Sequence, residues 1–337
     1  MGISQSHFIM EIIKPIAFPL ANKTVVITGA SSGVGLATAE MFAKAGCNLI
    51  LASRGKEALG KAVECCQGFG AMTTGIPTDM SDYEQVQQLV NQALVPTGKI
   101  DFWVNNAGVM ASGKFEEIPI KVSHQVVKTN LFGYMNAAHS VIPIFKQQGY
   151  GVLINNVSIG GYMPAPYSAV YSATKFGIKG MMECLQGELS DEPNIHICNL
   201  YPQIQRSTGN MHSAKYSGLD FKIPPFAADP RDTAQQLLNL ALRPQKDKFP
   251  DFASWGLKTM HSLFPKLLVN MASAGMRLLM EMKDGEPTSG NVLEPSKAPH
   301  EIYGESLFPV PSGKTKLALG VGLVLGMGLL LLSGKRD

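Results

Sequence analysis

The sequence predicts an α/β fold, a doubly wound parallel sheet with helices on both faces, extended at its C-terminus and closed by a terminal transmembrane helix. Three observations carry this expectation. From residue 23 onward, apolar β-branched runs alternate with segments of helical composition. A glycine-rich turn, "TGASSGVG", follows the first of those runs. Near the end, Leu317 to Ser333 is an uncharged apolar stretch. Strands that alternate with helices imply right-handed crossovers and a parallel sheet, whose sites lie at the carboxyl ends of the strands.

The elements follow in order. "TVVITG" reads as a first strand and "VGLATAEMFAKAG" as the helix after it. "NLILAS", "MTTGIP", "DFWVNN", "GVLINNVS" and "HICNLYP" are further strands, short, apolar and bounded by turn residues. Between them, 56–68, 81–96, 121–148 and 169–191 have helical composition. After about residue 203 the rhythm breaks. The polar, proline-studded stretch 203–230 is a candidate substrate loop, and a helix near 230–243 follows it. The segment 252–282 is rich in Met, Leu and Phe, and both core and a greasy surface beside a membrane remain open for it. Residues 284–314 read as an irregular linker. The expected organisation is an apolar arm at 1–21, a catalytic domain at 22–250, an extension and linker at 251–313, and an anchor at 314–337.

Composition narrows the function. The chain has 337 residues, 45% hydrophobic and 16% charged, ample for one large domain plus extensions. A net charge of +3, with no basic run interleaved with aromatics, argues against nucleic acid as a partner. Cys47, Cys65, Cys66, Cys184 and Cys198 show no metal spacing, and the adjacent pair is a poor start for disulfides. They read as buried thiols of a reducing compartment. "MGISQS" fits the N-myristoylation pattern with Gly2 and Ser6, and "FIMEIIKPIAFPL" is too short and too interrupted for a signal peptide. The C-terminal stretch spans about 25 Å at roughly 1.5 Å per residue. It has no polar face, and it contains a Gly322-x-x-x-Gly326 pair suited to close helix packing in a bilayer. The alternative is a buried terminal helix. A single-pass anchor holding the catalytic domain in the cytoplasm is the expectation adopted.

The chemistry-bearing residues fall at strand ends. Gly29, Ser31, Ser32, Gly33, Val34 and Gly35 form the turn between the first strand and the first helix, where glycines let a backbone approach a pyrophosphate at a helix N-terminus. "NNAG" covers Asn105 to Gly108, "TNLFG" contains Asn130, and Ser158 lies thirteen residues before Tyr171. Tyr171 and Lys175 are four apart, which on a helix stacks them on one face. Each alone is ordinary: a strand-end serine, a helix asparagine, a surface pair.

Together, Thr28-Gly29-x-x-x-Gly33-x-Gly35, the "NNAG" motif, Asn130, Ser158 and Tyr171-x-x-x-Lys175 resemble the short-chain dehydrogenases/reductases in their compact single-domain branch. The resemblance covers roughly 22–243, and the tail resembles that of a membrane-associated subgroup. It implies a Rossmann-type domain and a catalytic tetrad of Asn130, Ser158, Tyr171 and Lys175. Tyr171 and Lys175 would also touch the cofactor, as would Asn106, Ala107 and Gly108. A free phenol has a pKa near 10, and an adjacent cation brings it toward the working range. Lys175 is the expected cation and is implied to bond the nicotinamide ribose. Ser158 would bond the substrate oxygen, and Asn130 would hold a water that links Lys175 to solvent. Tyr171 would protonate the oxygen as hydride reaches carbon.

At the end of the second strand, "LASRGK" places Ser53 where a carboxylate would select NAD, followed by Arg54. Without repulsion of a 2′-phosphate, and with Arg54 to pair with it or stack on adenine, the expected cofactor is NADP(H). Asp79 is a further cofactor residue by resemblance, with a helix N-cap as the alternative. Pro202 stands where the family has Pro-Gly, but Gln203 follows, and either Ser207 or Thr208 could replace the family's threonine. Tyr167 could line the substrate pocket. The expected activity is hydride transfer between NADP(H) and a carbonyl or secondary alcohol. The greasy tail suggests a lipophilic substrate, and the resemblance a homodimer unless the C-terminal extension blocks it. A soluble carbonyl substrate, or a non-catalytic cofactor-binding scaffold, is the alternative.

Overall fold

The computed structural model describes residues 20–219, 223, 227–281, 285–296 and 300–304. Seven strands form one parallel sheet: β1 (Thr24–Thr28), β2 (Asn48–Ser53), β3 (Thr73–Pro77), β4 (Phe102–Asn105), β5 (Gly151–Asn156), β6 (Ile195–Leu200) and β7 (Asp247–Lys248). Their order across the sheet is β3-β2-β1-β4-β5-β6-β7, so direction of winding reverses between β1 and β4. The helices are α1 (Gly33–Lys44), α2 (Lys56–Gln67), α3 (Tyr83–Leu94), α4 (Ile120–Val127), α5 (Gly133–Gln148), α6 (Ala169–Glu188), α7 (Pro230–Leu242), α8 (Phe252–Leu263) and α9 (Pro265–Glu281). This is the doubly wound, Rossmann-type sheet the alternation predicts.

Alternation along each strand sends side chains to opposite faces, and two cores result. Val25, Ile27, Leu49 and Leu51 pack with Phe42 of α1 and with Leu237 and Leu240 of α7. Val26, Ile50 and Trp103 face the other way, toward Leu89 of α3, Phe145 of α5 and Met182 of α6. Because both faces are covered, the strands read as continuous apolar runs.

A buried polar ladder pins the register of the sheet's second half. Asn105, Asn155, Asn199 and Asp247 are register partners on β4, β5, β6 and β7. Asn105 Nδ2 donates to Asn155 Oδ1 at 2.9 Å, and Asn155 Nδ2 donates to Asn199 Oδ1 at 3.1 Å. Asn199 Nδ2 and the Tyr201 hydroxyl then donate to Asp247 Oδ1 at 3.1 and 3.0 Å. A one-residue slip would strand buried amides without partners, at about 1–3 kcal/mol for each group.

Three segments need a fuller account. The helix expected over 121–148 is interrupted by a π-turn at Lys128–Phe132. The Met-rich segment forms two consecutive helices, α8 and α9, with Phe252, Trp255, Leu263 and Phe264 exposed, and among its described residues only Ser254, at its root, is fully buried. Residues 285–296 and 300–304, expected as a linker, lie across the sheet domain, joined by bridges Lys215↔Thr288, Gly218↔Gly285 and Ser207↔Tyr303. Cys47, Cys66 and Cys198 are buried, but Cys184 is exposed on α6, a correction to the expectation of uniformly buried thiols. A residue near the middle of a helix reaches solvent whenever its phase falls on the outer face. Apart from Leu20 and Ala21, the N-terminal arm lies outside the described residues, as does the predicted anchor at 314–337. Among the described residues no helix is long and apolar enough to cross a membrane.

Candidate active site

A cavity of about 930 Å³ opens at the carboxyl ends of β1, β2, β4, β5 and β6, across the point where winding reverses. Gly29, Ser31, Ser32, Gly33, Val34, Gly35, Ser53, Arg54, Asp79, Asn106, Ala107, Gly108, Ser158, Tyr171, Lys175 and Pro202 all line it. The structure therefore gathers every predicted site residue at one place except Asn130, which stands immediately behind the wall. Tyr167 is not part of the lining; its backbone is left-handed (φ 63°) and its carbonyl accepts from Gly113 N–H at 2.8 Å.

The glycine turn is shaped by close approach. A Cβ on Gly35 would sit 2.0 Å from the Gly29 carbonyl oxygen, and one on Gly29, at φ +64°, would sit 2.8 Å from Ala107 Cα. Thr28 fastens the two loops together, its hydroxyl donating to Val104 O and accepting from the N–H groups of Asn106 and Ala107. Ser32 caps α1 without using its side chain, and the helix N-terminus faces the cavity. Backbone N–H groups at such a terminus run out of helical acceptors and favour an anion.

Tyr171 and Lys175 sit on the first turns of α6, whose N-cap Ser168 bonds Ser112 across the cavity floor at 2.8 Å. Lys175 is only 4% exposed, with Nζ 5.5 Å from the centre of the Tyr171 ring and 5.4 Å from that of Tyr134. Tyr134 is a member of the site that sequence reasoning missed. Its single hydroxyl proton is shared between Asn105 O at 3.0 Å and Asn156 O at 2.8 Å, which ties together the ends of β4 and β5. Ser158 holds a strained backbone, φ 114° and ψ 152°, a region that glycine normally occupies. Its Oγ accepts from Gly160 N–H at 3.1 Å, which fixes the hydroxyl near the phenol.

The electrostatics depart from expectation. Burial pushes the Tyr171 phenol up, and the hydrogen bond from Ser158 is the opposing influence. Burial also pushes Lys175 down to about 7. The expected lowering of the phenol by Lys175 is thus not seen here, because desolvation dominates both groups.

Asn130 lies in the π-turn and is fully buried. Its Oδ1 accepts from Val109 N–H at 2.8 Å, while Nδ2 donates to Val109 O at 2.9 Å and Thr174 Oγ1 at 3.1 Å. Both amide protons are spent, so for the expected water the side chain offers one remaining lone pair on Oδ1. A Cβ on Gly108 would stand 3.5 Å from that oxygen and 3.9 Å from Lys175 Nζ, so the gap between them opens because position 108 is glycine. π-Turns recur at functional sites.

On the adenosine side, Arg54 donates from both terminal nitrogens to main-chain carbonyls, of Val292 at 3.2 Å and of Asn291. Asp79 accepts from Ser81 N–H and Oγ at 2.9 and 2.8 Å, whereas the N-cap of α3 is Asp82. Gln203 N–H donates to Ser254 Oγ at 3.1 Å, which ties the departing loop to α8. Ser207 lines the cavity, while the Thr208 hydroxyl donates to Glu301 O at 2.9 Å. No pattern in the sequence signalled that 285–296 and 300–304 would contribute to one wall, because their partners are remote along the chain, among them His212 for Asn291 and, more than 200 residues away, Arg54 for Asn291 and Val292.

The "short chain dehydrogenase" family model matches residues 23–216, more than half of the chain, and the chain belongs to that family. It is similar to an uncharacterized oxidoreductase of Listeria innocua, 35% identical over 184 residues, 54% of this chain and 74% of that protein. It is also similar to Dehydrogenase/reductase SDR family member 7B of Danio rerio, 30% identical over 239 residues, 68% of this chain and 77% of that protein. Among solved structures, an alcohol dehydrogenase from the archaeon Thermococcus sibiricus complexed with 5-hydroxy-NADP superposes with a TM-score of 0.59. It is 25% identical, over 67% of this chain and 95% of the other. The protein is therefore an oxidoreductase of this family, of the kind that acts on CH–OH and C=O groups with a nicotinamide cofactor.

Proposed function

We propose that the protein is an NADP(H)-dependent reductase of a lipophilic carbonyl, or the corresponding alcohol dehydrogenase, with Tyr171 as the proton-transferring group. The observation that carries this reading is the convergence of Ser158, Tyr171 and Lys175 on one cavity shared with the glycine turn. The residues present fit a phosphorylated nicotinamide nucleotide. Ser53 in place of an acid and Arg54 beside it suit a 2′-phosphate, and Ser53 and Asn156, two residues of the cavity lining, each hold a buried side-chain oxygen without a hydrogen-bond partner. The NADP analogue bound by the archaeal neighbour is consistent with this choice.

The nucleotide would lie against Gly29 to Gly35, Asn106 to Gly108 and Lys175, and when bound it supplies or accepts the hydride. Everything else falls to the chain. Burial keeps Tyr171 protonated at neutral pH, so the phenol is a ready donor to an oxygen becoming an alkoxide. Ser158, rigid in its strained turn, donates to the same oxygen and orients it. Lys175, half charged near pH 7, favours phenolate once the proton has left. Alcohol oxidation needs the phenolate first, so that direction gains as pH rises. Met110, Met163, Ile204, Leu219 and Met276 give the cavity an apolar lining, which supports a lipophilic substrate. The apolar surface of α8–α9 and the anchor expected at 314–337 support delivery from a membrane.

The test is NADPH oxidation by the purified protein against a panel of polar and lipophilic carbonyls, with Tyr171→Phe alongside. Turnover should favour the lipophilic members and fall at least about 100-fold in the variant, with NADPH affinity kept. Substantial residual turnover in Tyr171→Phe removes the tyrosine from its role.

A further inference from the structure

Lys175 carries a charge into a place where little answers it. The side chain is almost wholly buried, burial is the only influence on its pKa, and no carboxylate or second cation enters that balance. Lys179, one turn further along α6, is engaged by Glu183 at 2.8 Å and by the Tyr162 ring. Among the described residues the Lys175 ammonium makes no hydrogen bond and no ion pair. What it meets are two ring faces, Tyr171 on its own helix at 5.5 Å and Tyr134 on α5 at 5.4 Å. A buried ammonium without partners is costly, and a ring face within about 6 Å is the compensation that remains.

The two rings are not equivalent. Proton transfer would turn the Tyr171 phenol into phenolate, and its hydroxyl has to meet the substrate. Tyr134 has neither task. It is fully buried, and burial pushes its phenol far above the ordinary range, so it stays neutral. Its one hydroxyl proton is shared between Asn105 O and Asn156 O. Those residues end β4 and β5, one just before the Asn106–Gly108 loop and the other two residues before Ser158. At its other end the side chain springs from the first turn of α5, directly after the π-turn that carries Asn130. The ring is therefore fixed at both ends. The lysine stem runs beside the turn after Ser158, where a Cβ on Gly160 would lie 3.7 Å from Lys175 Cγ.

We infer that Tyr134 is a positioning residue for the reaction, its ring face holding the Lys175 ammonium in place beside Tyr171. The inference rests on the reading of Lys175 as the cation that favours phenolate, and it supplies the group that keeps this cation there. The face of an aromatic ring carries the negative part of its quadrupole, so the attraction acts on the ammonium and is lost for the neutral amine. Tyr134 thereby offsets part of the desolvation of Lys175. The hydroxyl sets the ring against the ends of β4 and β5, which ties the position of the lysine to the loops that carry Gly108 and Ser158.

The test separates the charge of the ring face from the shape of the ring. Tyr134→Phe keeps the face and drops the hydroxyl. Tyr134→pentafluorophenylalanine, introduced by codon suppression, also lacks the hydroxyl and nearly keeps the shape, but its fluorines reverse the charge of the face. Both are made in the full-length protein and compared by melting profile. Lysines labelled with carbon-13 at Cε report protonation by NMR without turnover, and Lys175→Met identifies the Lys175 resonance. The fluorinated variant should titrate Lys175 about one pH unit lower than Tyr134→Phe, roughly tenfold in acidity. Tyr134→Phe should stay within about 0.3 unit of wild type, because a phenylalanine face serves a cation as a tyrosine face does. The high-pH limb of NADPH oxidation, measured with the panel carbonyl that wild type reduces fastest, should move down with the NMR midpoint. Equal midpoints in the two variants would overturn the inference and leave the NADP(H) reading intact. A shifted midpoint with an unmoved limb would make the contact a bystander to the reaction and overturn the positioning role. A panel in which wild type reduces nothing would overturn the reductase reading and this role together.

Discussion

Replacing Lys175 by Met should stabilise the folded protein at neutral pH and below, by an amount that depends on pH in a defined direction. Burial lowers the lysine from 10.5 to about 7 in the folded state. Below pH 7 the side chain is charged in both folded and unfolded chains, and the folded chain carries the whole desolvation cost. At roughly 1.4 kcal/mol per tenfold, that cost is about 5 kcal/mol. Met keeps the unbranched apolar stem but gives up two cation–aromatic contacts, with Tyr134 and Tyr171, on the order of 1 kcal/mol each. The variant should therefore be more stable by about 3 kcal/mol at pH 6. Between pH 7 and 10.5 the folded lysine sheds its proton while the unfolded one retains it, so wild-type stability climbs relative to the variant. That climb of about 5 kcal/mol exceeds the gap of about 3 kcal/mol, so the order should reverse near about pH 9 and the variant should be the less stable by roughly 2 kcal/mol above pH 10.5. Urea unfolding of both proteins at pH 6, 8 and 10 measures this, since other groups titrate alike in each and cancel in the difference. A variant less stable than wild type at pH 6, or a gap that does not change with pH, would refute the reasoning.

Three other substitutions or reactions test the frame around the site. Gly35→Ala drives a Cβ to 2.0 Å from a backbone carbonyl, so it should destabilise by at least the roughly 1–3 kcal/mol of an overpacked core, read as a lower urea midpoint. Asn130→Leu removes three buried hydrogen bonds to Val109 and Thr174 and orphans backbone groups, so a loss of roughly 2–4 kcal/mol should accompany loss of turnover. Brief alkylation of the native protein should modify Cys184 and spare Cys47, Cys66 and Cys198, whose thiols burial pushes up to about 12, as peptide mass mapping would show.

Much of the fold was legible because its signals are local. β-Branched runs, helical spacing and the glycine turn are read within a dozen residues, and the six expected strands appeared within two or three residues of their expected bounds, whereas the two-residue edge strand Asp247–Lys248, too short and polar to show a pattern, was missed. The π-turn at Lys128–Phe132 was not legible, since helical composition says nothing of a bond slipped by one residue. The grouping of Ser158, Tyr171 and Lys175 was legible for a different reason. A parallel doubly wound sheet delivers all of its strand ends to one edge, so motifs placed after β1, β4 and β5 must meet.

The sequence by itself determined the order of most elements, the glycine turn and the motif residues that gather at the cavity, all consequences of short-range stereochemistry and periodicity. Only the tertiary structure decided what surrounds them. It showed that burial governs both Tyr171 and Lys175, that Tyr134 braces the floor, and that residues 285–296 and 300–304 return to grip Arg54 and wall the cavity. Desolvation depends on everything that packs around a group, and a contact across more than 200 residues leaves no local pattern to read.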